Sequence, residues 1–189
     1  MQVISIMEKY KNKYRIPSAR AQWWDYSNPG AYFITICTAY HQCYFGNIEN
    51  AIMNYSEIGS IAEREWDISF DMRKELFCDA FVIMPNHIHA ILRIENDAQT
   101  HGVRPAGESN GEAVALAKGI AYRPQKSISS FVGGFKSAVT KYAREIHADY
   151  GWHPRFHDHI IRDDEEYMRI ANYIMNNPKK WNDDKFHEK

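Results

Sequence analysis

Residues 81–92 read Phe81-Val82-Ile83-Met84-Pro85-Asn86-His87-Ile88-His89-Ala90-Ile91-Leu92, two apolar runs on either side of a Pro-Asn turn signal. The pattern predicts an antiparallel hairpin whose first strand spans residues 76–84 and whose second strand begins at the first histidine. Side chains alternate along a strand, so both imidazoles lie on one face. Ile88, Ala90 and Leu92 then point to the opposite face and pack against a core.

The histidine pair permits two interpretations when only its spacing is considered. His87 and His89 are close enough to share a metal ion. A bare His-x-His motif is, however, more often a pair of polar neighbours on a half-exposed strand. His157 and His159 have the same spacing. The spacing alone therefore leaves metal binding open.

Other elements follow from apolar periodicity and from turn residues. Before the hairpin we predict a strand over residues 31–38, a short apolar piece at residues 43–45 that pairs with it, and a helix over residues 55–69 that starts at Asn54. After the hairpin we predict a helix over residues 128–146, a strand over residues 155–161, and a last helix that Asp163 caps and Pro178 ends.

The order strand, helix, strand, strand, helix, strand predicts an α+β fold, with a ferredoxin-like antiparallel sheet covered by helices and an added C-terminal helix. The length of 189 residues suits one domain over residues 1–189. Within it we expect a basic N-terminal arm at residues 1–24. Residues 95–126 have loop composition, and we expect them to form a mobile loop inside the domain.

The composition excludes several classes of protein. The three cysteines, Cys37, Cys43 and Cys78, lack CxxC spacing, which argues against a disulfide framework and against a thiolate zinc site. No signal peptide and no run of about 20 apolar residues is visible, so we expect a cytoplasmic protein that does not contact the membrane. The net charge of −1 argues against a uniformly basic surface for nucleic acid.

The charges are nevertheless segregated along the chain. Lys9, Lys11, Lys13 and Arg15 alternate with tyrosines near the N-terminus, a pattern in which cations meet phosphates and aromatic rings stack on unpaired bases. Taken alone, the segment is equally compatible with a solvated arm that has no partner. Acidic residues gather elsewhere, at residues 163–166 and 183–184.

The last predicted helix carries a second group of interest. Tyr173 lies at the edge of its apolar stripe, and Asn177 follows four residues later, so the two side chains share a face. Two other candidate tyrosines, Tyr142 and Tyr167, lie on apolar stripes and are expected in the core.

Taken together, these motifs resemble the REP-associated tyrosine transposases, a group within the single-tyrosine HUH transposases. The resemblance covers most of the chain and includes Asp25-Tyr26-Ser27, Gly30-Ala31-Tyr32-Phe33-Ile34-Thr35-Ile36-Cys37, Met84-Pro85-Asn86-His87-Ile88-His89, Phe135-Lys136-Ser137, Arg155-Phe156-His157-Asp158-His159-Ile160-Ile161-Arg162 and Tyr173-Ile174-Met175-Asn176-Asn177-Pro178. Ile88 fills the hydrophobic position that the motif requires between its histidines. Residues 95–126 match no feature of the group.

The resemblance implies a role for each residue of the motif. His87, His89 and Asn177 match the residues that hold a divalent metal ion, Mg²⁺ or Mn²⁺, and Tyr173 matches the nucleophile. The implied activity is cleavage and rejoining of single-stranded DNA near hairpin sequences of the REP type, through a 5′-phosphotyrosine. The implied partner is single-stranded or hairpin DNA, and the protein is expected to be a monomer or a homodimer.

Further DNA contacts are expected at Lys136 and Arg155, and we assign His157 and His159 a structural or DNA-facing role. Two other classes of function stay open. One is a metal-dependent nuclease that uses water as its nucleophile. The other is a catalytically retired transposase that binds hairpin DNA without cutting it.

Overall fold

The computed structural model describes residues 27–95 and 127–187, together with the backbone of two short strands, β1 (Lys9–Tyr10) and β2 (Lys13–Tyr14), which pair with each other. The rest of the predicted N-terminal arm at residues 1–24 lies outside the described residues. So does the predicted mobile loop at residues 95–126, except for its first residue.

A four-stranded antiparallel sheet forms the centre of the described structure. Its strands are β3 (Gly30–Cys37), β6 (Leu76–Met84), β7 (His87–Ile94) and β8 (His157–Ile161), in the spatial order β6-β7-β3-β8. Neighbouring strands run antiparallel throughout, and β6 and β7 form the predicted hairpin. The predicted α+β, ferredoxin-like arrangement is confirmed.

Two helices, α1 (Glu57–Asp71) and α2 (Ile128–Ile146), cover one face of this sheet. Trp66 of α1 stacks on Phe81 of β6 with ring centroids 4.5 Å apart, and it meets the edges of Phe131 and Phe135 of α2. Ile88, Ala90 and Leu92 are fully buried in this core, as strand alternation predicts. The histidines of β7 therefore face the other side.

The opposite face is covered by α3 (Asp164–Asn176), whose Ile170 and Ile174 pack on Ile91 of β7. The helix begins where the Asp163 side chain accepts a hydrogen bond from the Glu166 amide at 2.8 Å, a cap worth about 1 kcal/mol. The chain then continues through a 3₁₀ segment, Pro178–Asp183. This packing brings α3 across the face that carries His87 and His89.

Two predictions between β3 and α1 are wrong. Residues 43–45 do not pair with β3; instead β4 (Gly46–Glu49) and β5 (Ile52–Tyr55) form a hairpin of their own. Its two-residue turn puts Asn50 and Ala51 at positive φ, and the missing glycine hid this turn from the sequence pattern. The N-cap of α1 is Ser56, whose hydroxyl oxygen accepts from the Gly59 amide at 3.0 Å, and not Asn54.

The strand predicted at residues 155–161 is shorter than expected, because β8 begins at His157. Within the described part of the chain, no helix has the length and apolar character needed to cross a membrane.

Candidate active site

The two histidines of β7 lie side by side and are buried. Their exposed fractions are 0% for His87 and 1% for His89, and the ring centroids are 4.5 Å apart. In the register of the sheet, His87 pairs with Cys37 and His89 pairs with Thr35 of β3. The shared face follows from the two-residue period of the strand.

Asn86 determines which nitrogen of His87 is free. The Asn86 amide group donates to the backbone oxygens of His41 at 2.9 Å and Phe186 at 2.7 Å, so its Oδ1 is an acceptor. His87 Nδ1 lies 2.8 Å from that Oδ1 and therefore carries the proton. The other ring nitrogen, Nε2, is buried without a hydrogen-bond partner among the described residues. The lone pair of this buried nitrogen can therefore coordinate a metal ion.

His89 has a hydroxyl group on each side of its ring. The Thr35 hydroxyl lies 2.9 Å from Nδ1, and the Tyr173 hydroxyl lies 3.2 Å from Nε2. Phe33 of β3 supports both rings, since its centroid is 5.3 Å from that of His89 and 6.2 Å from that of Tyr173. The tyrosine and a histidine that the motifs predicted therefore meet at hydrogen-bond distance.

Burial keeps both imidazoles neutral at physiological pH. Loss of hydration lowers the pKa of His87 well below its usual value, and the neighbouring His89 adds to the effect. Burial also lowers the pKa of His89 to about 3, with a further contribution from Lys185. Neutral imidazole is the form that binds a metal ion, so no proton has to be removed first.

Tyr173 is the accessible member of the site, with 40% of its surface exposed. Partial burial raises the pKa of its phenol, the nearby Asp184 carboxylate raises it further, and a hydrogen bond involving Asn177 lowers it. The phenol is therefore protonated at neutral pH. Its position at the helix edge, as predicted, leaves it open to a substrate.

Asn177 directly follows α3 and is 2% exposed. Its side-chain oxygen is buried and has no hydrogen-bond partner among the residues that the structure describes. A buried oxygen without a donor is costly, and coordination of a cation is one way to satisfy it. Asn177 thus offers the oxygen atom that its predicted role as a metal ligand needs.

Sequence reasoning missed one acidic residue of the site. The 3₁₀ segment Pro178–Asp183 leads to Asp184, and ligand atoms of Asp184, His87 and His89 all lie within 4.8 Å of one another. The Phe186 amide donates to the Asp184 carboxylate at 2.7 Å, and the Phe186 ring lies 4.7 Å from the ring of His87. The acidic pair at residues 183–184 was visible in the sequence, but no pattern placed it near β7.

This set of donors fits a divalent cation. It combines two neutral imidazoles with a carboxylate, and an amide oxygen is available beside Tyr173. Mixed nitrogen and oxygen ligands suit Mn²⁺, and the oxygen ligands also suit Mg²⁺. Cys37, the neighbour of His87 in the sheet, is a poor ligand because burial raises the pKa of its thiol to about 11.

The residues predicted to contact DNA have varied surroundings. The Lys136 ammonium donates to the backbone oxygens of His153 at 2.8 Å and Arg155 at 3.0 Å, and the Arg155 side chain is exposed. In the second histidine pair, His159 Nε2 lies 2.8 Å from a carboxylate oxygen of Glu166, and His157 is exposed. The side chains of the arm cations lie outside the described residues: Lys9, Lys11, Lys13 and Arg15.

The chain is similar in sequence to a bacterial protein and in structure to a solved transposase. No protein-family model matches the chain. An uncharacterized protein of Haemophilus influenzae is 33% identical over 175 residues, which cover 90% of this chain and 92% of that protein. Among solved structures, a REP-associated tyrosine transposase bound to a REP hairpin matches with a TM-score of 0.56 and 17% identity, over 86% of this chain and 74% of that chain.

The identity to the Haemophilus influenzae protein over nearly the whole length of both chains shows common descent. The likeness to the solved transposase, at its lower identity, shows a shared fold. The chain therefore belongs to the same protein family as the Haemophilus influenzae relative and has the fold of the REP-associated tyrosine transposase, the group that its motifs indicate.

Proposed function

We propose that this protein is a single-tyrosine transposase and site-specific endonuclease, which cleaves and rejoins single-stranded DNA near hairpins of the REP type. One observation carries the proposal: the exposed edge of α3 holds the Tyr173 hydroxyl 3.2 Å from Nε2 of a buried, neutral histidine. Ligand atoms of this histidine, of His87 and of Asp184 all lie within 4.8 Å of one another. A nucleophile beside a cation site is the arrangement that phosphodiester transfer requires.

In the proposed reaction, the phenolic oxygen of Tyr173 attacks the scissile phosphorus. A bond forms between this oxygen and the 5′ phosphate as the bond to the 3′ oxygen breaks. The phenol gives up its proton, and the leaving oxygen takes up a proton to become a 3′-hydroxyl. One phosphodiester replaces another, so the strand can later be resealed without ATP.

The other residues of the site hold its polar groups in place. Asn86 contacts Nδ1 of His87, and Thr35 contacts Nδ1 of His89. Each ring therefore presents its Nε2 atom to the site. A divalent ion held by His87, His89, Asn177 and Asp184 would polarise the scissile phosphate and offset the negative charge of the transition state.

We propose hairpin DNA with a single-stranded flank as the substrate, since the structural neighbour is bound to a REP hairpin. The predicted arm cations and the exposed Arg155 are the phosphate contacts that we assign to this protein. We assign Lys136 the same role, although two of its donors already bind backbone oxygens. We keep the alternatives of monomer and homodimer as predicted.

The test is a covalent adduct assay. Purified protein is incubated with single-stranded DNA that carries the hairpin repeat flanking its gene, in Mn²⁺ or Mg²⁺, and is separated under denaturing conditions. We expect a slower band that contains both protein and DNA. Tyr173→Phe should lose this band and keep hairpin binding. Tyr167→Phe is the matched control, because this residue lies on the same helix and packs against the cluster of Ile91, Ile170 and Ile174.

The same assay separates the alternatives. Strand cleavage without an adduct, unchanged in Tyr173→Phe, would identify a nuclease that uses water. Hairpin binding without cleavage in any metal would identify a retired transposase that only binds DNA.

A further inference from the structure

The turn between β3 and the β4–β5 hairpin contains two consecutive residues in the left-handed backbone region. Tyr40 has φ 54° and His41 has φ 55°. Residues other than Gly, Asn, Asp and His rarely occupy this region, because Cβ approaches the neighbouring carbonyl oxygen, so Tyr40 is the more unusual of the two. Elsewhere in the described chain, the other non-glycine residues with positive φ are Asn50 and Ala51, which the two-residue hairpin turn explains. No hairpin turn explains Tyr40 and His41.

The turn is fixed by hydrogen bonds to the site. The Thr38 hydroxyl group donates to the backbone oxygens of Gln42 at 2.8 Å and Asn86 at 3.0 Å, and the Ala39 amide donates to Gly151 at 2.9 Å. His41 has a clear function in this arrangement, since its carbonyl accepts from the Asn86 amide and its ring stacks on Phe186 with centroids 5.3 Å apart.

Tyr40 has no comparable role inside the protein. Its side chain is 87% exposed, the largest value among the exposed large apolar side chains of the described residues. The turn thus holds an exposed aromatic ring in an unfavourable backbone conformation, next to His41, whose carbonyl is linked to His87 through the hydrogen bonds of Asn86. Strain that packing does not explain is a sign of function.

Two cations lie beside aromatic residues that contact this turn. Lys185 has its ammonium 4.7 Å from the centroid of the Phe186 ring, which stacks on His41. The Lys136 ammonium lies 5.7 Å from the centroid of the Trp152 ring, and Trp152 pairs with Thr38 through a backbone bridge. A nucleic acid strand offers unpaired bases to aromatic rings and phosphates to cations, so an exposed ring on a turn whose contacts include residues beside cations suits such a strand.

We propose that Tyr40 is a stacking platform for one unpaired base of the DNA strand that enters the Tyr173 site. This inference rests on the proposed function and adds a binding contact to it. The ring points into solvent from a strained backbone position, and the hydrogen bond from Asn86 to the His41 carbonyl joins the turn to the histidine pair. Stacking is tolerant of sequence, so the contact positions the strand and does not read its bases.

The experiment measures binding of a labelled hairpin with a single-stranded flank, by fluorescence anisotropy. All variants carry Tyr173→Phe, so that no covalent link forms. We expect Tyr40→Phe to bind within about twofold of the parent. Tyr40→Leu and Tyr40→Asn should bind about 5- to 150-fold more weakly, the range measured for loss of one stacked base. The slope of affinity against salt should not change, because no phosphate contact is lost.

Two further measurements keep the result specific. An abasic site placed at successive positions of the flank should reproduce the loss at one position, and Tyr40→Leu should then bind no more weakly than the parent on that DNA. Tyr40→Asn should also melt at a higher temperature than the parent, because asparagine tolerates the left-handed region better. The variant would then combine greater stability with weaker binding.

The outcomes that overturn the inference are distinct from those that overturn the proposed function. Unchanged binding by Tyr40→Leu, or an equal loss on a blunt hairpin without unpaired bases, excludes the platform and leaves adduct formation at Tyr173 untouched. A change in oligomeric state with unchanged DNA affinity would assign the ring to a contact between copies of the chain. Failure of the parent to bind any single-stranded DNA would overturn both proposals.

Discussion

At the scale of single residues, the orientation of each imidazole depends on the group that contacts its Nδ1 atom. His87 Nδ1 bonds to the side-chain oxygen of Asn86, and two further hydrogen bonds from the Asn86 amide nitrogen to backbone oxygens hold that oxygen in place. Groups that only orient a ligand typically change metal affinity about 10- to 100-fold when they are removed. The ligands themselves should matter more.

We therefore predict that His87→Ala and His89→Ala each weaken Mn²⁺ binding by more than about 100-fold, and that Asp184→Asn and Asn177→Ala weaken it by a smaller factor. Isothermal titration calorimetry on chelator-treated protein measures this directly. Asp183→Asn is the matched control, because this neighbouring carboxylate is exposed and is not among the clustered donors. Wild-type affinity in both histidine variants would exclude the metal site.

For Tyr173→Phe, in contrast, we predict no loss of Mn²⁺ affinity. The Tyr173 hydroxyl lies 3.2 Å from His89 Nε2, the nitrogen that we assign to the cation, and therefore takes up hydrogen-bonding space at that atom. Removing the hydroxyl should leave Mn²⁺ binding at least as tight as in the wild type, although the adduct is lost. Weaker metal binding in this variant would mean that the phenol is itself a ligand.

Regular periodicity predicts the positions of the two histidines on one strand face and of Tyr173 and Asn177 on a shared helix face, whereas their roles are what the resemblance to the transposases implies. The position of Asp184 could not be predicted. This residue follows a 3₁₀ segment that reverses the chain after α3, and such a segment has no sequence period. Its position depends on contacts between Phe186 and residues about 100 and 145 positions away, which local pattern does not encode.

At the scale of secondary structure elements, two glycines of the helices have opposite environments. A Cβ atom on Gly59 of α1 would lie 2.1 Å from the backbone oxygen of Phe45, whereas one on Gly134 of α2 would have nothing within 4 Å. We predict that Gly134→Ala raises the free energy of unfolding by about 1 kcal/mol, through helix propensity. Gly59→Ala should lower it by about 1–3 kcal/mol. Urea denaturation of both variants measures the two signs, and a gain in Gly59→Ala would contradict the close approach.

The junction of β8 and α3 gives a pH-dependent prediction. The hydrogen bond from His159 lowers the pKa of Glu166 below 4.5, and the bond from the Arg162 amide adds to this effect. An acid with a lowered pKa in the folded state stabilises the fold above its unfolded pKa, and this contribution is lost as the pH falls through the lowered value. Glu166→Gln should therefore melt below the wild type at pH 7, and the difference should shrink as the pH falls below about 4.5.

Melting curves from pH 7 to pH 3 check this prediction. Glu165→Gln is the control, because it removes a charge from the same helix turn but is exposed. Comparing the two variants separates the effect of the Glu166 hydrogen bonds from the effect of removing a charge near the helix dipole. A constant difference between wild type and Glu166→Gln at every pH would contradict the role of the ionised carboxylate.

At the scale of the whole molecule, the sheet order follows from the sequence to a large extent. The hairpin of β6 and β7 and the two covering helices have strong periods, and the ferredoxin-like order is the compact way to join them. The β4–β5 hairpin was missed because its strands have four residues each and its turn has no glycine. Short elements are held by tertiary contacts, such as the Ser56 hydroxyl donating to Tyr44 at 2.6 Å.

At this scale we predict how the cations of the N-terminal arm affect DNA binding. Removal of residues 1–20 should weaken hairpin binding and leave the melting temperature nearly unchanged. The slope of log affinity against log salt should fall by about 0.7 for each arm cation that neutralises a single-strand phosphate. Titration of both proteins at several salt concentrations is the measurement. Equal slopes would move the phosphate contacts to the groove of about 400 Å³ on α2, which Lys136, Lys141 and Arg144 line.

The central claim is that Tyr173 forms the covalent link to DNA, and peptide mass spectrometry tests it most directly. The denatured adduct is digested with a nuclease and with trypsin, which cleaves after Arg169 and Lys179 and so releases a peptide whose sole tyrosine is Tyr173. We expect this peptide to carry the added mass of a 5′-phosphorylated nucleotide. A nucleotide on the preceding peptide, which contains Tyr167, or DNA cleavage with every tyrosine unmodified, would contradict it.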